Sequence, residues 1–137
     1  MGLKLLGILA LIILALMAYV RLSPTDPARF HTDVDPTPKR MTGGVVEVIP
    51  GDAQTLLALD RIARATPRTR LFAGSPATGH VTYITRSKLW GFPDFTTLQL
   101  QDDQIAIHAR LRFGRGDMGV NSARVADWLQ RLETVEE

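Results

Sequence analysis

The residues of this chain best equipped for chemistry gather in RLRFGRGDMGVNSAR, positions 110–124, where four arginines, an aspartate and an asparagine surround a glycine-rich corner. Arg110 and Arg112 stand two apart near the end of an expected strand, so they project from the same sheet face, and a helix is expected to start just beyond the glycines. Guanidinium groups beside the free amides of a helix N-terminus form a site for a carboxylate, a phosphate or a sulfate. Arg110, Arg112, Arg115 and Arg124 are the candidate contacts, with Asp117 and Asn121 ordering them. A second polar stretch, TRSKLWGFPDF at 85–95, adds Arg86 and Asp94 on either side of a tight turn containing Gly91 and Pro93. If the two strands that this turn joins are neighbours, both corners lie at one end of the sheet and face each other.

A purely architectural account competes for the same residues. Gly114, Gly116 and Gly119 permit positive φ where a strand turns into a helix, Asp117 bonds nearby amides, Asn121 serves as N-cap, and Arg115 or Arg124 pairs with Asp117. Burial separates the accounts: arginines locked in internal pairs favour a scaffold, whereas free guanidiniums converging on a cleft favour a binding site.

Other chemistries find little support. The chain has no cysteine, which removes thiolate metal sites and cysteine nucleophiles. His31 has no second ligand at helical or hairpin spacing, so no metal is expected. Neither HExxH nor GxSxG occurs, and the glycine spacing fits neither a P-loop nor a dinucleotide fingerprint. Ser87, His108 and Asp94 can be drawn as a triad, as in any small domain, and no catalytic residue or cofactor is assigned. Lys and Arg number 16 against 14 for Asp and Glu, too even a balance for a nucleic-acid binder.

The elements that must position these residues follow from periodicity. Residues 1–22 contain an unbroken apolar run, Leu5 to Val20, closed by Lys4 and Arg21. Sixteen residues of helix give about 24 Å, which Leu3, Leu22 and the two snorkelling cations extend toward the thickness of a bilayer core. Tyr19 suits an interfacial position. An uncleaved anchor fits better than a signal peptide, because Ala18 is preceded two places earlier by the bulky Leu16. Lys4 and the amino group favour a domain exported across the cytoplasmic membrane, against the pull of Arg21, Arg29, Lys39 and Arg40. Residues 23–44, with Pro24, Pro27, Pro36 and Pro38, form an extended tether, on which Phe30 and His31 dock against the domain or the headgroups.

Residues 45–137 are expected to form one α+β domain: an antiparallel sheet of four to five strands with two helices packed on one face. The strands fall at 45–49, 70–73, 80–89, 95–101 and 104–113. Asp52 caps the first helix, which buries Leu56, Leu59, Ile62 and Ala63 and ends before Pro67. A turn at Asp102 and Asp103 makes opposed residues sum to 205, so Leu100 faces Ile105 and Leu98 faces Ile107. His108, Arg110 and Arg112 then share the other face with Thr97 and Phe95. The last helix carries Val125, Trp128, Leu129 and Leu132 on its buried side, with Val120 and Val125 as a staple around Asn121.

YITRSKLWGFPDF followed by RLRFGRGDMGVNSARV resembles the motifs of domain-of-unknown-function family 1499, a group of bacterial and plastid proteins. The resemblance spans about residues 45–133. It places Arg86, Gly91, Pro93 and Asp94 on one motif, and Arg112, Gly114, Asp117, Gly119, Asn121 and Arg124 on the other. Gly116 departs from the pattern, where the family has serine. The resemblance implies an N-terminal hydrophobic segment and no particular reaction. The expectation is a membrane-anchored, non-enzymatic module that contacts lipid through its first helix and binds an anionic ligand, a lipid headgroup or an envelope protein. An envelope scaffold without a ligand and an uncharacterised hydrolase are the alternatives.

Overall fold

Side chains that alternate in twos require a strand and those that recur at three and four a helix, and the chain resolves into both. The computed structural model describes residues 1–136. In chain order it contains α1 (Gly2–Leu22), the single turn α2 (Pro27–Phe30), β1 (Lys39–Met41), β2 (Gly44–Pro50), α3 (Ala53–Ala65), β3 (Thr69–Ser75), β4 (His80–Arg86), β5 (Pro93–Gln101), β6 (Gln104–Leu111) and α4 (Val120–Glu136). The strands make one antiparallel sheet in the order β1-β2-β6-β5-β4-β3. The fold is α+β, with six strands rather than four to five. The additional strand is β1, which lies within the stretch read as tether and folds back on β2.

The β5–β6 register is the one required by the hydrophobic pattern, with Leu98 opposite Ile107 and Leu100 opposite Ile105. On that face α3 contributes Leu56, Leu59, Ile62 and Ala63, and α4 contributes Val125, Trp128 and Leu132, to a core shared with Val45, Val81 and Tyr83. Asp52 caps α3 by accepting from the amides of Gln54 and Thr55 at 3.0 Å each, and Thr55 closes a capping box. Asp60 enters the core from the same helix. It accepts from the Tyr83 hydroxyl at 2.5 Å and from Arg64 Nε at 3.0 Å, so its charge is balanced where it is buried.

Two local expectations at α4 are corrected. Asn121 is inside the helix rather than its N-cap, and it is fully buried. Val120 is about half exposed while Val125 is buried, so the staple does not form. Asp117 replaces both devices: its carboxylate accepts from the amides of Gly119 and Asn121, and its carbonyl from the amide of Val120.

The second sheet face is covered by the chain that precedes it. Residues 23–38 run as a strap over β4, β5 and β6. Phe30 stacks on Phe95 with centroids 4.2 Å apart, and Val34 is buried beside Val46 and Ala106. The Pro-rich stretch is therefore packed on the domain over much of its length, and of the two docking places expected for Phe30 and His31 the domain is the one found. The contacts form because the sheet leaves Phe95, Ile84 and Val46 uncovered by the two helices, and burying an aromatic there stabilises by roughly 1.5–3 kcal/mol. A threonine ladder continues the seam: Thr82 and Thr97 share a 2.8 Å hydrogen bond, Thr97 donates to the Phe30 carbonyl, and His31 Nδ1 meets Thr82 Oγ1 at 2.8 Å. His31 also stacks on His80 at 4.0 Å.

Phe30→Ala is expected to lower unfolding free energy by about 3 kcal/mol in denaturant titration, as for buried Phe elsewhere. A loss below about 1 kcal/mol would mean that the strap unfolds independently of the sheet.

The same face makes the protein acid-sensitive. Burial, with help from Arg110 and Lys39, pushes His108 down to about 4, and burial, His80 and Arg110 lower His31 despite the opposing pull of Asp33. Both lie below the ordinary 6.5 of an unfolded histidine, so the unfolded chain binds more protons in that interval. Stability is full above pH 6.5 and declines as pH falls toward 4. The thermal midpoint should therefore drop between pH 7 and 5, and His108→Asn should flatten that drop; an unchanged slope in the variant would remove His108 as a contributor.

Candidate functional site

The two polar corners meet at one end of the sheet. Antiparallel pairing of β4 with β5 and of β5 with β6 brings the 87–92 turn beside the 112–119 corner, and Asp94 lies opposite Leu111. Ser87 closes the turn: its hydroxyl accepts from the Phe92 amide at 2.9 Å, and its backbone exchanges bonds with Phe92 and Gly91. Gly91 has φ 73°, and a Cβ there would come within 2.8 Å of Arg21 Cγ, so the turn needs glycine both for its backbone and for the approach of α1.

The arginines of the expected anion site diverge. Arg110 donates to Thr97 Oγ1 at 2.7 Å, to the His108 carbonyl at 3.0 Å and to the Phe30 carbonyl. Burial lowers it to about 10, which leaves it charged at neutral pH. Arg112 donates to the carbonyls of Ser23 and Pro24 and to the hydroxyls of Ser23 and Thr25, and lies 4.6 Å over the Phe113 ring. These two residues clamp the strap. Arg115 is exposed and makes no side-chain hydrogen bond to the described residues. Arg110, Arg112 and Arg115 thus do not converge on one ligand, which corrects the anion site expected at this corner.

Asp94, Asp117, Asn121 and Arg124 do come together, as a closed polar network. Arg124 donates to Asn121 Oδ1 at 2.6 Å and to Asp94 Oδ2 at 3.3 Å, while Asn121 Nδ2 donates to Asp117 Oδ2 at 2.8 Å. Burial raises Asp94 above the usual carboxylate range, against the attraction of Arg124, and the charge of Asp117 adds to the rise. Hydrogen bonds from Asn121 and Gly119 outweigh burial and hold Asp117 low. Gly114 and Gly119 have positive φ as the corner requires. Gly116 does not, and Met118 does at 53°. A Cβ at Gly116 would lie 3.1 Å from Thr42 Cγ2, so a side chain there must displace Thr42.

Arg86 belongs to a different assembly, which the sequence reading missed. Its Nη1 donates to the Gly91 carbonyl at 2.9 Å and to the Val20 carbonyl of α1 at 3.4 Å. Beside it a pocket of about 480 Å³ is lined by Arg21, Arg68, Arg70, Arg86, Ser87 and Lys88. No carboxylate among the described residues lines this pocket or forms an ion pair with its five cations. Burial, and then the charges of Arg70, Arg21 and Arg112, lower Arg86, which thus sits among like charges. Arg68 holds a left-handed backbone, φ 56°, at a cost of order 1 kcal/mol. The signal in the sequence was the two-residue spacing of Arg68 with Arg70 and of Arg86 with Lys88; that the two pairs adjoin depends on β3–β4 pairing.

On the other side of the 87–92 turn a second pocket, of about 530 Å³, has apolar walls from Phe92, Leu111, Phe113, Met118 and Val120, with Asp94, Asp117 and Ser87 also in its lining. Tyr19 of α1 meets Phe113 edge-on at 6.2 Å. His108 sits opposite Thr97, three residues along β6 from the Asp94–Leu111 pair, or about 10 Å, so Ser87, His108 and Asp94 do not assemble as a triad. Among the described residues no cluster of three or more His, Asp or Glu side chains is placed to hold a metal.

An α+β domain whose leading strap is clamped by arginines across an antiparallel sheet, with two pockets at the strap's origin, defines the class of protein. The chain belongs to the family described as protein of unknown function DUF1499, whose model matches residues 20–132. A search of curated proteins finds no match. The match begins at Val20, the buried last turn of α1, and so takes in the whole strap.

Arg112→Ala is expected to free residues 23–25. Limited proteolysis between the first helix and the domain should accelerate at least several-fold, with about 1–2 kcal/mol lost in stability, the range for hydrogen bonds to a charged group. Unchanged proteolysis would show that Arg112 does not hold the strap.

Proposed function

We propose that this chain is a single-pass membrane protein whose domain, on the outer side of a bacterial cytoplasmic membrane, is a non-enzymatic binding module for an anionic ligand. The observation that carries the reading is the pocket lined by Arg21, Arg68, Arg70, Arg86 and Lys88 without an acidic neighbour among the described residues. Five neighbouring cations with no carboxylate among them leave the balancing charge to be supplied by an anion, and planar guanidiniums suit the oxygens of a phosphate or carboxylate.

The membrane assignment rests on α1, 21 residues long, whose most apolar stretch of 18 residues has a mean hydropathy of 2.6. About 32 Å of helix matches a bilayer core. A signal sequence passes the same test of length and apolarity, but removal of α1 would also remove contacts that the domain uses. Val20 is buried, Arg21 donates to the Leu89 carbonyl at 2.8 Å, and Tyr19 packs on Phe113. A retained anchor accounts for these contacts. The scaffold alternative draws support from Arg110 and Arg112, both occupied with the strap; it leaves the cationic pocket without a role.

The test is the thermal midpoint of the full chain in phosphatidylcholine nanodiscs, titrated with inorganic phosphate against chloride at matched ionic strength. A native-state ligand at a hundred times its Kd adds about 2.7 kcal/mol. Phosphate should raise the midpoint and Arg68→Gln/Arg70→Gln should abolish the rise. An equal response to both salts would overturn the reading.

A further inference from the structure

The cationic pocket and the apolar pocket share one wall, the turn closed by Ser87, and each is too one-sided in character to suit a single polar metabolite. Both adjoin the last turn of α1, through Arg21 on one side and the Tyr19–Phe113 contact on the other. If α1 spans the bilayer, this end of the domain lies at headgroup level. The surface there is apolar to an unusual degree: Met118 is fully exposed, Leu89 is 70 % exposed, and Tyr19, Phe92 and Val120 are 40–60 % exposed. Water-facing loops seldom group such side chains, and grouping them marks a contact with lipid or another apolar surface.

We infer that the two pockets together hold one anionic phospholipid of the same bilayer, its phosphate among Arg21, Arg68, Arg70, Arg86 and Lys88, its glycerol at Ser87, and an acyl chain between Phe92, Phe113, Met118 and Val120. The volumes, about 480 and 530 Å³, suit a headgroup and part of a chain rather than a whole lipid. The acyl chain passes from one apolar surrounding to another, so the headgroup charge sets selectivity, and confinement to the same bilayer gives the lipid its advantage over free phosphate. The two carboxylates in the apolar wall have partners of their own. Asp94 is paired with Arg124, and Asp117 is held by the amides of Gly119 and Asn121. Arg86 spans the boundary: its carbonyl partners, Val20 and Gly91, tie the phosphate side to both the membrane helix and the turn.

The inference rests on the anion-binding reading of the first pocket, and the experiment separates the two. The full chain is placed in phosphatidylcholine nanodiscs containing either phosphatidylglycerol or phosphatidylcholine with a photoactivatable diazirine on the acyl chain. Adducts are mapped by mass spectrometry, and phosphate stabilisation is measured in the same discs. The expected result is labelling of residues 111–120 and Phe92 by the phosphatidylglycerol probe at least about tenfold above the phosphatidylcholine probe, lost in Arg68→Gln/Arg70→Gln while the thermal midpoint without ligand is kept. A second variant, Met118→Asp/Val120→Asp, should lose the adducts and retain the phosphate response. Labelling confined to residues 2–22, with phosphate still stabilising, overturns the lipid and leaves an anion site. Equal labelling of 111–120 by both probes, unaffected by the arginine substitutions, also overturns it and makes the apolar end a simple membrane contact. Absence of both adducts and phosphate response overturns both readings.

Discussion

Everything in this molecule depends on the clamp that Arg110 and Arg112 place on residues 23–30. An antiparallel sheet with apolar side chains on both faces needs two covers, and α3 and α4 both lie on one side. The strap supplies the other cover, but outside the turn α2, where the Arg29 and His31 amides donate to the Asp26 and Pro27 carbonyls, the carbonyls of Ser23, Pro24 and Phe30 are left to be satisfied. Guanidiniums rising from β6 and from the segment just beyond it meet that need at Phe30, Ser23 and Pro24. A charged donor loses less on burial when several acceptors surround it, which is why two arginines tolerate a seam between layers.

The clamp also fixes where the apolar helix α1 stands. Because Ser23 and Pro24 are held at the end of β6, α1 must arrive beside the 87–92 turn, where Gly91 has no side chain to obstruct Arg21. The two pockets are consequences of that arrival. One gathers cations from β3, β4 and α1, the other gathers apolar groups from the turn and the glycine-rich corner. Arg124, Asn121, Asp94 and Asp117 hold the corner to the start of β5, which stiffens one wall of the apolar pocket. The proposed ligand chemistry, charge beside grease at the foot of the apolar helix, rests on that geometry.

Local pattern was enough for much of this. Alternation of Leu98, Leu100, Ile105 and Ile107 around Asp102 and Asp103 leaves one register that keeps the arginines off the core, and that register is found. Leu56, Leu59, Ile62 and Ala63 with a capping aspartate define α3 in the same way. The motifs around Arg86 and Asp117 sufficed to place the chain in its family. Helix periodicity, turn chemistry and hairpin register are short-range properties, settled by residues within about ten positions of one another.

Long-range pairing decided the rest. That Phe30 meets Phe95, that Arg112 meets Ser23, and that Arg68 lies beside Arg86 depend on which distant surfaces are left uncovered once the sheet has formed. Proline in residues 23–38 announced extended backbone but not its partner, and exposure or burial of an arginine cannot be read from spacing along the strand. So the sequence alone determined the elements, the apolar helix and the identity of the polar corners. Only the tertiary structure decided which arginines close the fold and which stay unpaired, because charge neutralisation and burial are set by neighbours far away in the chain.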